Sequence, residues 1–239
     1  MRYIKQLFAV VAIIFLSQNT QAQFFSFLSK EKLVNLENFD KQKFSWGYTI
    51  GFNSYDFKFE YVEDLEHAEV LVDKSTGFNV GLIGDMRING YINLRLEPVL
   101  TFTQRDLTFS QFEEERDYLR SVKSTYIHVP LLVKVSTKRL NNIKPFIVGG
   151  ISTSFNLSAN EDHPEDNSFG RFRMTENTMY YELGFGIDFY LYFFKFTPSI
   201  RGVFAMSDEL VRDIDPDSPY TSNISSMKTR GVFINFTFQ

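Results

Sequence analysis

Thr178–Leu191 reads TMYYELGFGIDFYL, and its apolar residues fall on every second position: Met179, Tyr181, Leu183, Phe185, Ile187, Phe189 and Leu191. Between them stand Tyr180, Glu182, Gly184, Gly186, Asp188 and Tyr190. A two-residue period puts the first set on one face of an extended strand and the second set on the other. The apolar face is uninterrupted over a length close to the thickness of a membrane's hydrocarbon layer, whereas the other face carries two carboxylates. A transmembrane β-strand has this pattern, greasy toward lipid and polar toward a lumen.

The N-terminus points the same way. Arg2 and Lys5 precede an apolar run, Leu7 to Leu16, and Ser17 to Ala22 ends in a small residue. This has the form of a secretory signal peptide over residues 1–22, cleaved after Ala22 to leave Gln23 first. The run is too short for a spanning helix, and no later run approaches the roughly 18–20 apolar residues that one needs. With no Cys in the chain, a lipid anchor on cysteine, a disulfide scaffold and a thiolate metal site are excluded. The chain has 27 Phe, 12 Tyr and one Trp, an excess of aromatics that suits strands and interfacial girdles. Mean hydropathy is only -0.18, as expected where alternate residues alone meet lipid. A net charge of -4 with no basic stripe argues against a nucleic-acid partner.

Further runs of period two recur along the chain. Trp46, Tyr48, Ile50 and Phe52 begin a first strand that continues toward Tyr61, and Phe78, Val80 and Leu82 mark a second. After the hairpin signal Asn89-Gly90, Ile92, Leu94, Leu96, Leu100 and Phe102 alternate with Asn93, Arg95, Glu97, Val99 and Thr101. Ile127 to Val135 alternate with Tyr126, His128, Pro130, Leu132 and Lys134, and a fifth strand spans Ile143 to Leu157. The opening stretch is the sixth; Phe196, Pro198 and Ile200 carry the seventh, and Val232, Ile234, Phe236 and Phe238 the last. Connections after strands two, four and six are short: Asn89-Gly90, Lys138 to Asn142, and around Tyr192. Those after one, three, five and seven are long and polar: Glu63 to Thr76, Asp106 to Lys123, Ser158 to Asn177, and Ser207 to Ser226. Short periplasmic turns alternating with long outer loops produce this sorting when both termini are periplasmic.

The expected fold is therefore all-β: a transmembrane, antiparallel, up-and-down β-barrel of about eight strands over residues 46–239, with both termini periplasmic. It resides in the outer membrane of a Gram-negative cell and contacts outer-membrane lipids. Residues 23–45 form a periplasmic N-terminal segment, in which Gln23 to Lys43 reads as a short helix or a tail. Trp46, Tyr192, Phe193, Phe194 and Phe238 are the candidate periplasmic aromatic girdle. Pro98, Pro130, Pro145 and Pro198 lie inside strands, where bulges or displaced strand ends are expected, because a closed barrel has no free edge for a missing N–H.

Polar residues of inward parity are Arg95, Glu97, Lys134, Glu182, Asp188 and Arg201. The bore of an eight-stranded barrel has room only for its own side chains, and buried charges must pair. These six are expected to form a charge-paired plug, Lys134 and Arg201 serving as partners for Glu182 and Asp188. A conducting pore or proton path is the sharper alternative. His128 is the one His in a strand, with His67 and His163 in loops. Ser124 and Ser136 flank it with no nucleophile motif, so a lumen histidine is expected and a lipid-modifying enzyme is the alternative. The acidic loops carrying Glu161, Asp162, Glu165, Asp166 and Asp213, Asp215, Asp217 match no calcium-loop spacing. No Gly-rich phosphate loop or metal-ligand set occurs, so no cofactor, metal or small-molecule substrate is expected.

Tyr126-Ile-His-Val-Pro-Leu-Leu-Val-Lys134 and Pro145-Phe-Ile-Val-Gly-Gly150 resemble the fourth and fifth strands of a broad family of outer-membrane barrels. Glu182 to Tyr190, Lys195 to Phe204, Ser207-Asp-Glu-Leu-Val211, Asp215-Pro216 and Thr229 to Phe238, together with Asn38-Phe-Asp40 and Ser124-Thr-Tyr126, resemble the PorT/SprT family. This resemblance implies a non-enzymatic accessory or assembly factor of type IX protein secretion, needed for cargo export and gliding motility, with other secretion components as partners. It maps no catalytic residue onto the chain. A generic structural or adhesive barrel, working through its acidic loops, is the other non-enzymatic expectation.

Overall fold

The computed structural model describes residues 33–62, 70–112, 114–159, 161 and 172–239. Within them ten strands occur: β1 Phe44–Tyr61, β2 Val70–Lys74, β3 Thr76–Arg87, β4 Ile92–Leu96, β5 Val99–Phe109, β6 Leu119–Ser136, β7 Ile143–Asn156, β8 Asn177–Tyr190, β9 Lys195–Ala205 and β10 Ile224–Phe238. All of them pair antiparallel. β2 and β3 lie end to end along β5, while β4 and β5 lie end to end along β6. Ten segments thus make eight staves, and β1 closes the ring by pairing with both β10 and β3.

The ring sorts side chains by the two-residue period. On β8, Met179, Tyr181, Leu183, Phe185 and Ile187 are exposed, whereas Tyr180, Glu182, Asp188 and Tyr190 are buried. On β6, Leu131 is 46% exposed and its neighbour Leu132 is 0% exposed. An apolar exterior around a polar interior inverts the arrangement that water favours and creates a continuous exposed belt far beyond an ordinary surface patch. Register is held because a slip by one residue would turn every charge outward.

Above Ser54 and Thr76 the wall divides. β1 keeps only β10, and β2 only β5, so a β10–β1 flap faces a β2–β5–β6 flap. Phe57 and Met227 on one flap meet Val70, Leu107, Phe109 and Val122 on the other, and Phe172, Met174, Leu210 and Tyr220 from the long connections close the apolar core. The connections are accordingly shorter than their sequence limits. Residues 70–74, expected in a loop, form β2, β5 runs to Phe109, β6 starts at Leu119 and β10 at Ile224. Polarity misled there, because these strands leave the apolar belt and carry polar residues outward. β1 also starts two residues early, at Phe44.

Each proline has its own accommodation. Pro98 falls in the gap between β4 and β5, a true break. The Pro130 carbonyl accepts the Glu97 N–H, so its missing N–H would point at that same gap. Pro145 likewise points at Thr137, just past the end of β6. At Pro198 the β8–β9 pairing lapses over two residues and resumes in unchanged register, from Gly186↔Ser199 to Phe189↔Phe196. Among the described residues the β1–β10 ladder shifts register at Glu60/Tyr61, away from any proline.

At the short-turn end, residues 33–43 cross the barrel mouth as a turn and a 3-10 helix, Phe39–Lys41, with Leu36 at φ 48°. The signal-peptide region, His67, His163, Asp162, Glu165 and Asp166 lie outside the described residues.

The register makes a direct prediction for the protein folded into lipid vesicles. Leu131→Arg should cost about 2–4 kcal/mol by urea titration if the belt meets the bilayer midplane. Leu132 packs on Phe146 and Val148 inside the ring. Leu132→Ala should cost about 2–5 kcal/mol through the cavity it leaves, whatever the bilayer thickness, whereas the Leu131→Arg cost should fall in thinner bilayers. Identical responses of the two variants to thickness would refute the register.

Candidate functional site

Inward parity on six of the eight staves delivers charged side chains into one narrow bore. Midway along it, Arg95 and Arg201 share Glu97, at 3.2 Å to Oε1 and 2.7 Å to Oε2. Arg201 Nε lies 2.7 Å from Glu182 Oε2, and His128 Nε2 lies 2.8 Å from Glu182 Oε1. Arg95 also holds Asp85, at 2.8 Å. An alternating chain results, Asp85–Arg95–Glu97–Arg201–Glu182–His128, with every member buried. Lys134 and Asp188 make a separate pair at 2.5 Å, and Thr197 donates to Asp188 at 2.8 Å. The Lys134 ammonium also sits 4.1 Å from the Phe146 ring centroid, a cation–π contact of the kind that gains strength when desolvated. Isolated, each of these charges would be expensive to bury; paired and hydrogen-bonded, they fill the space that a pore would need.

Below this network the N-terminal segment closes the mouth. Asp40 accepts from the Tyr190 hydroxyl at 2.6 Å and lies 3.5 Å from Lys144 and 3.6 Å from Arg139. Arg139 stacks on Tyr190 at 3.7 Å, and Lys195 lies 4.5 Å over Phe39. The short distance from Phe39–Lys41 to β1 forces this crossing, because two residues separate them.

Above the network an aromatic layer seals the bore. His128 meets Tyr180 and Phe233 edge-on at 5.7 Å each, and Tyr55 packs on Phe233 and Tyr126. Higher still, the Arg105 guanidinium lies 3.8 Å from the Phe57 ring and donates to Tyr126 Oη at 2.7 Å. Glu209 comes in from the β9–β10 connection to accept from Tyr180 at 2.9 Å and Thr229 at 2.5 Å. Burial holds the Glu209 carboxyl above its usual range, although those hydrogen bonds and Arg105 pull it down.

The structure therefore brings Arg95, Glu97, Glu182 and Arg201 into one chain and places Lys134 with Asp188 beside it. Partnership differs in detail from the sequence reading, since Arg201 serves two carboxylates and Lys134 serves Asp188 alone. Neither flanking serine reaches His128: Ser124 Oγ accepts from Arg105 at 3.5 Å, and Ser136 Oγ donates to the Tyr91 carbonyl. Asp213 is buried against Arg173, at 3.3 Å, and accepts from Ser218, so it braces its own loop. Among the described residues no group of three or more His, Asp or Glu could hold a metal ion. The five rim aromatics cluster at the short-turn end. Phe238 stacks on Tyr48 at 5.1 Å and packs on Phe194 at 5.9 Å, Tyr192 meets Phe193 at 5.5 Å, and the Trp46 ring covers Gly84 so closely that a Cβ there would collide with it.

Asp85, Arg105 and Glu209 escaped sequence reading. Continuing the parity of Asn79 and Ile83 by one step reaches Asp85, and continuing that of Glu97, Val99 and Thr101 reaches Arg105. Both lie just past the residues over which the alternation is clean, Ile83 in one strand and Phe102 in the other. Glu209 has no strand parity, and nothing local marks it.

A model of the outer membrane protein beta-barrel domain family matches residues 21–211. Among solved structures the chain is similar to the outer membrane protein OprG from Pseudomonas aeruginosa, with 13% identity, 82% of this chain and 93% of that one covered, and a TM-score of 0.45. It is also similar to Ail, the attachment invasion locus protein of Yersinia pestis, at 12% identity, 81% and 96% coverage and a TM-score of 0.37. The N-terminal beta-barrel domain of Pseudomonas aeruginosa OprF gives 8% identity, 79% and 96% coverage and a TM-score of 0.30. No curated protein matches the chain.

Because Arg201 bridges two buried carboxylates, Arg201→Met should leave Glu97 with Arg95 and Glu182 with His128 as the one remaining partner of each. The loss expected in a urea titration of the folded barrel is about 3–5 kcal/mol. Adding Glu182→Gln should recover part of that loss, since a buried carboxylate that has lost its guanidinium is then neutral. Additive losses in the double variant would mean that the two side chains are not coupled.

Proposed function

The chain belongs to the outer membrane protein beta-barrel domain family, and from that premise we propose that it is a non-conducting, non-enzymatic accessory or assembly factor of type IX protein secretion. It resides in the outer membrane. The observation that carries the non-conducting part is the Asp85–Arg95–Glu97–Arg201–Glu182–His128 chain, which occupies the bore between the Asp40 closure and the aromatic layer. A barrel filled in this way offers no route for a folded or extended cargo. Its work is done through its surfaces: the periplasmic mouth with residues 33–43, the rim aromatics, and the two-flap cap on the long-loop side.

Support for the secretion assignment comes from the sequence, in the resemblance of Glu182 to Tyr190, Lys195 to Phe204 and Thr229 to Phe238 to the PorT/SprT family. In that setting both termini lie in the periplasm, the short turns carry the girdle, and the capped end faces outward. Cargo then crosses the membrane elsewhere, and this barrel assembles or holds the component that conducts it. His128 serves the plug, because its ring is engaged by Glu182 and packed between Tyr180 and Phe233.

Deleting the gene should trap type IX cargo in the periplasm and abolish gliding where the cell glides. Full-length chain supplied in trans should restore both. Immunoblots of medium and periplasm read the result, and normal cargo release from the deletion strain would overturn the assignment.

A further inference from the structure

The outward faces of β1 and β10 change character just beyond Phe52 and Val232. Asp56 stands opposite Arg230 there, and Lys58 stands directly opposite Lys228. Lys74 at the end of β2 reaches the same Asp56 oxygen as Arg230, at 3.6 Å and 2.9 Å, while Lys58 pairs with Glu60 at 2.8 Å. Four cations share two carboxylates in a chain whose net charge is -4. Across the divided wall Asp73 stands opposite Asp106, so the positive face is confined to β10, β1 and the end of β2.

The Lys58–Lys228 pairing is the informative part. Directly opposed residues of an antiparallel pair hold their Cβ atoms about 4.5–5.5 Å apart, and like charges at that position destabilise the sheet. Glu60 pairs with Lys58 and acts on Lys228 only from beyond ion-pair distance, so one carboxylate serves both ammonium groups. An anion bound between the two ammonium groups would turn the repulsion into attraction. Beneath this face, on the same wall, lies an open groove of about 540 Å³ floored by Phe52, Phe78 and Phe102 and edged by Ser75, Gln104 and Lys123. Cations above and an aromatic floor below complement an amphiphile with an anionic head and a hydrocarbon tail. The first polar row above an apolar belt is also the depth at which lipid headgroups lie.

We propose that Lys58, Lys228, Arg230 and Lys74 bind the phosphate groups of an outer-leaflet glycolipid of the lipid A class, one acyl chain of which lies in the Phe52–Phe78–Phe102 groove. The site rests on the outward placement of the long loops adopted above, but not on a role in secretion. Bound lipid would neutralise the β10–β1 flap and tie the cap to the membrane surface.

The test uses the full mature chain folded in neutral detergent and titrated, by native mass spectrometry, with bisphosphorylated lipid A, with the same lipid after removal of its phosphates, and with inorganic phosphate. The phosphorylated lipid should bind at least tenfold more tightly than the dephosphorylated one, and equimolar inorganic phosphate should not displace it. Lys58→Gln with Lys228→Gln should erase that preference, whereas Lys138→Gln at the other end of the barrel should not change it. Heat-modifiable electrophoretic mobility reports folding, and Lys228→Gln alone replaces the double variant if the latter fails to fold. Equal affinity for the two lipids, an unchanged preference in the lysine variants, or displacement by inorganic phosphate would overturn the proposal. None of those results bears on cargo export, which the deletion strain reads separately.

Discussion

Arg201 sits between Glu97 and Glu182 in the middle of the bore, all three side chains buried, and the rest of the barrel is arranged around that contact. A guanidinium presents its donors in a planar fork, so it serves two carboxylates at once, which an ammonium does less well. Desolvating three charges is costly unless each finds a partner. The partners come from different staves: Glu97 from the junction of β4 and β5, Glu182 from β8 and Arg201 from β9. Pairing therefore specifies which strands stand where, and at what height. Asp85 and Arg95 extend the chain toward β3, and His128 extends it to β6. A one-residue slip of any contributing stave would expose its charge to the apolar exterior and strand its partner inside.

The same constraint explains the closed ends. The network does not fill the bore to its rims, so separate devices close it there. Asp40 enters among Arg139, Lys144 and Tyr190 at one end, while the aromatic layer and the two-flap core close the other. The lower closure is supplied by the N-terminal residues, whereas the upper one is built mostly by the strands themselves, with Phe172, Met174, Leu210 and Tyr220 added from the long connections. On the proposed reading the surfaces do the protein's work, and those surfaces differ. One rim is aromatic, and the opposite one carries a charged collar.

Much of this was legible from the alternation in Thr178–Leu191, because a barrel wall enforces a two-residue period on every stave that crosses the apolar belt. Parity alone identified Arg95, Glu97, Lys134, Glu182, Asp188 and Arg201 as inward. Asp85 and Arg105 lie one and two steps of the same parity beyond Ile83 and Thr101, past the point where apolar partners keep the alternation visible. β2 was missed for a related reason. Val70–Lys74 lies above the belt, where outward residues meet water and the apolar half of the pattern disappears. Glu209 could not be found, because its position depends on how a connection folds back onto Tyr180 and Thr229. The prolines were legible as a problem but not as solutions: only the three-dimensional ladder shows that Pro98 and Pro130 address the same gap. The proposed role rests on a resemblance in the C-terminal third, as periodicity does not distinguish one small barrel from another.

The most direct test of a charge-filled bore is its ion conductance. Purified, folded chain reconstituted in a planar bilayer under applied voltage should give no current steps above the bare-bilayer baseline. Truncating both Glu97 and Arg201 to Ala, which removes side-chain volume and charge together, should introduce steps in whatever fraction of the protein folds. Steady, voltage-independent conductance from the unaltered chain would contradict the account.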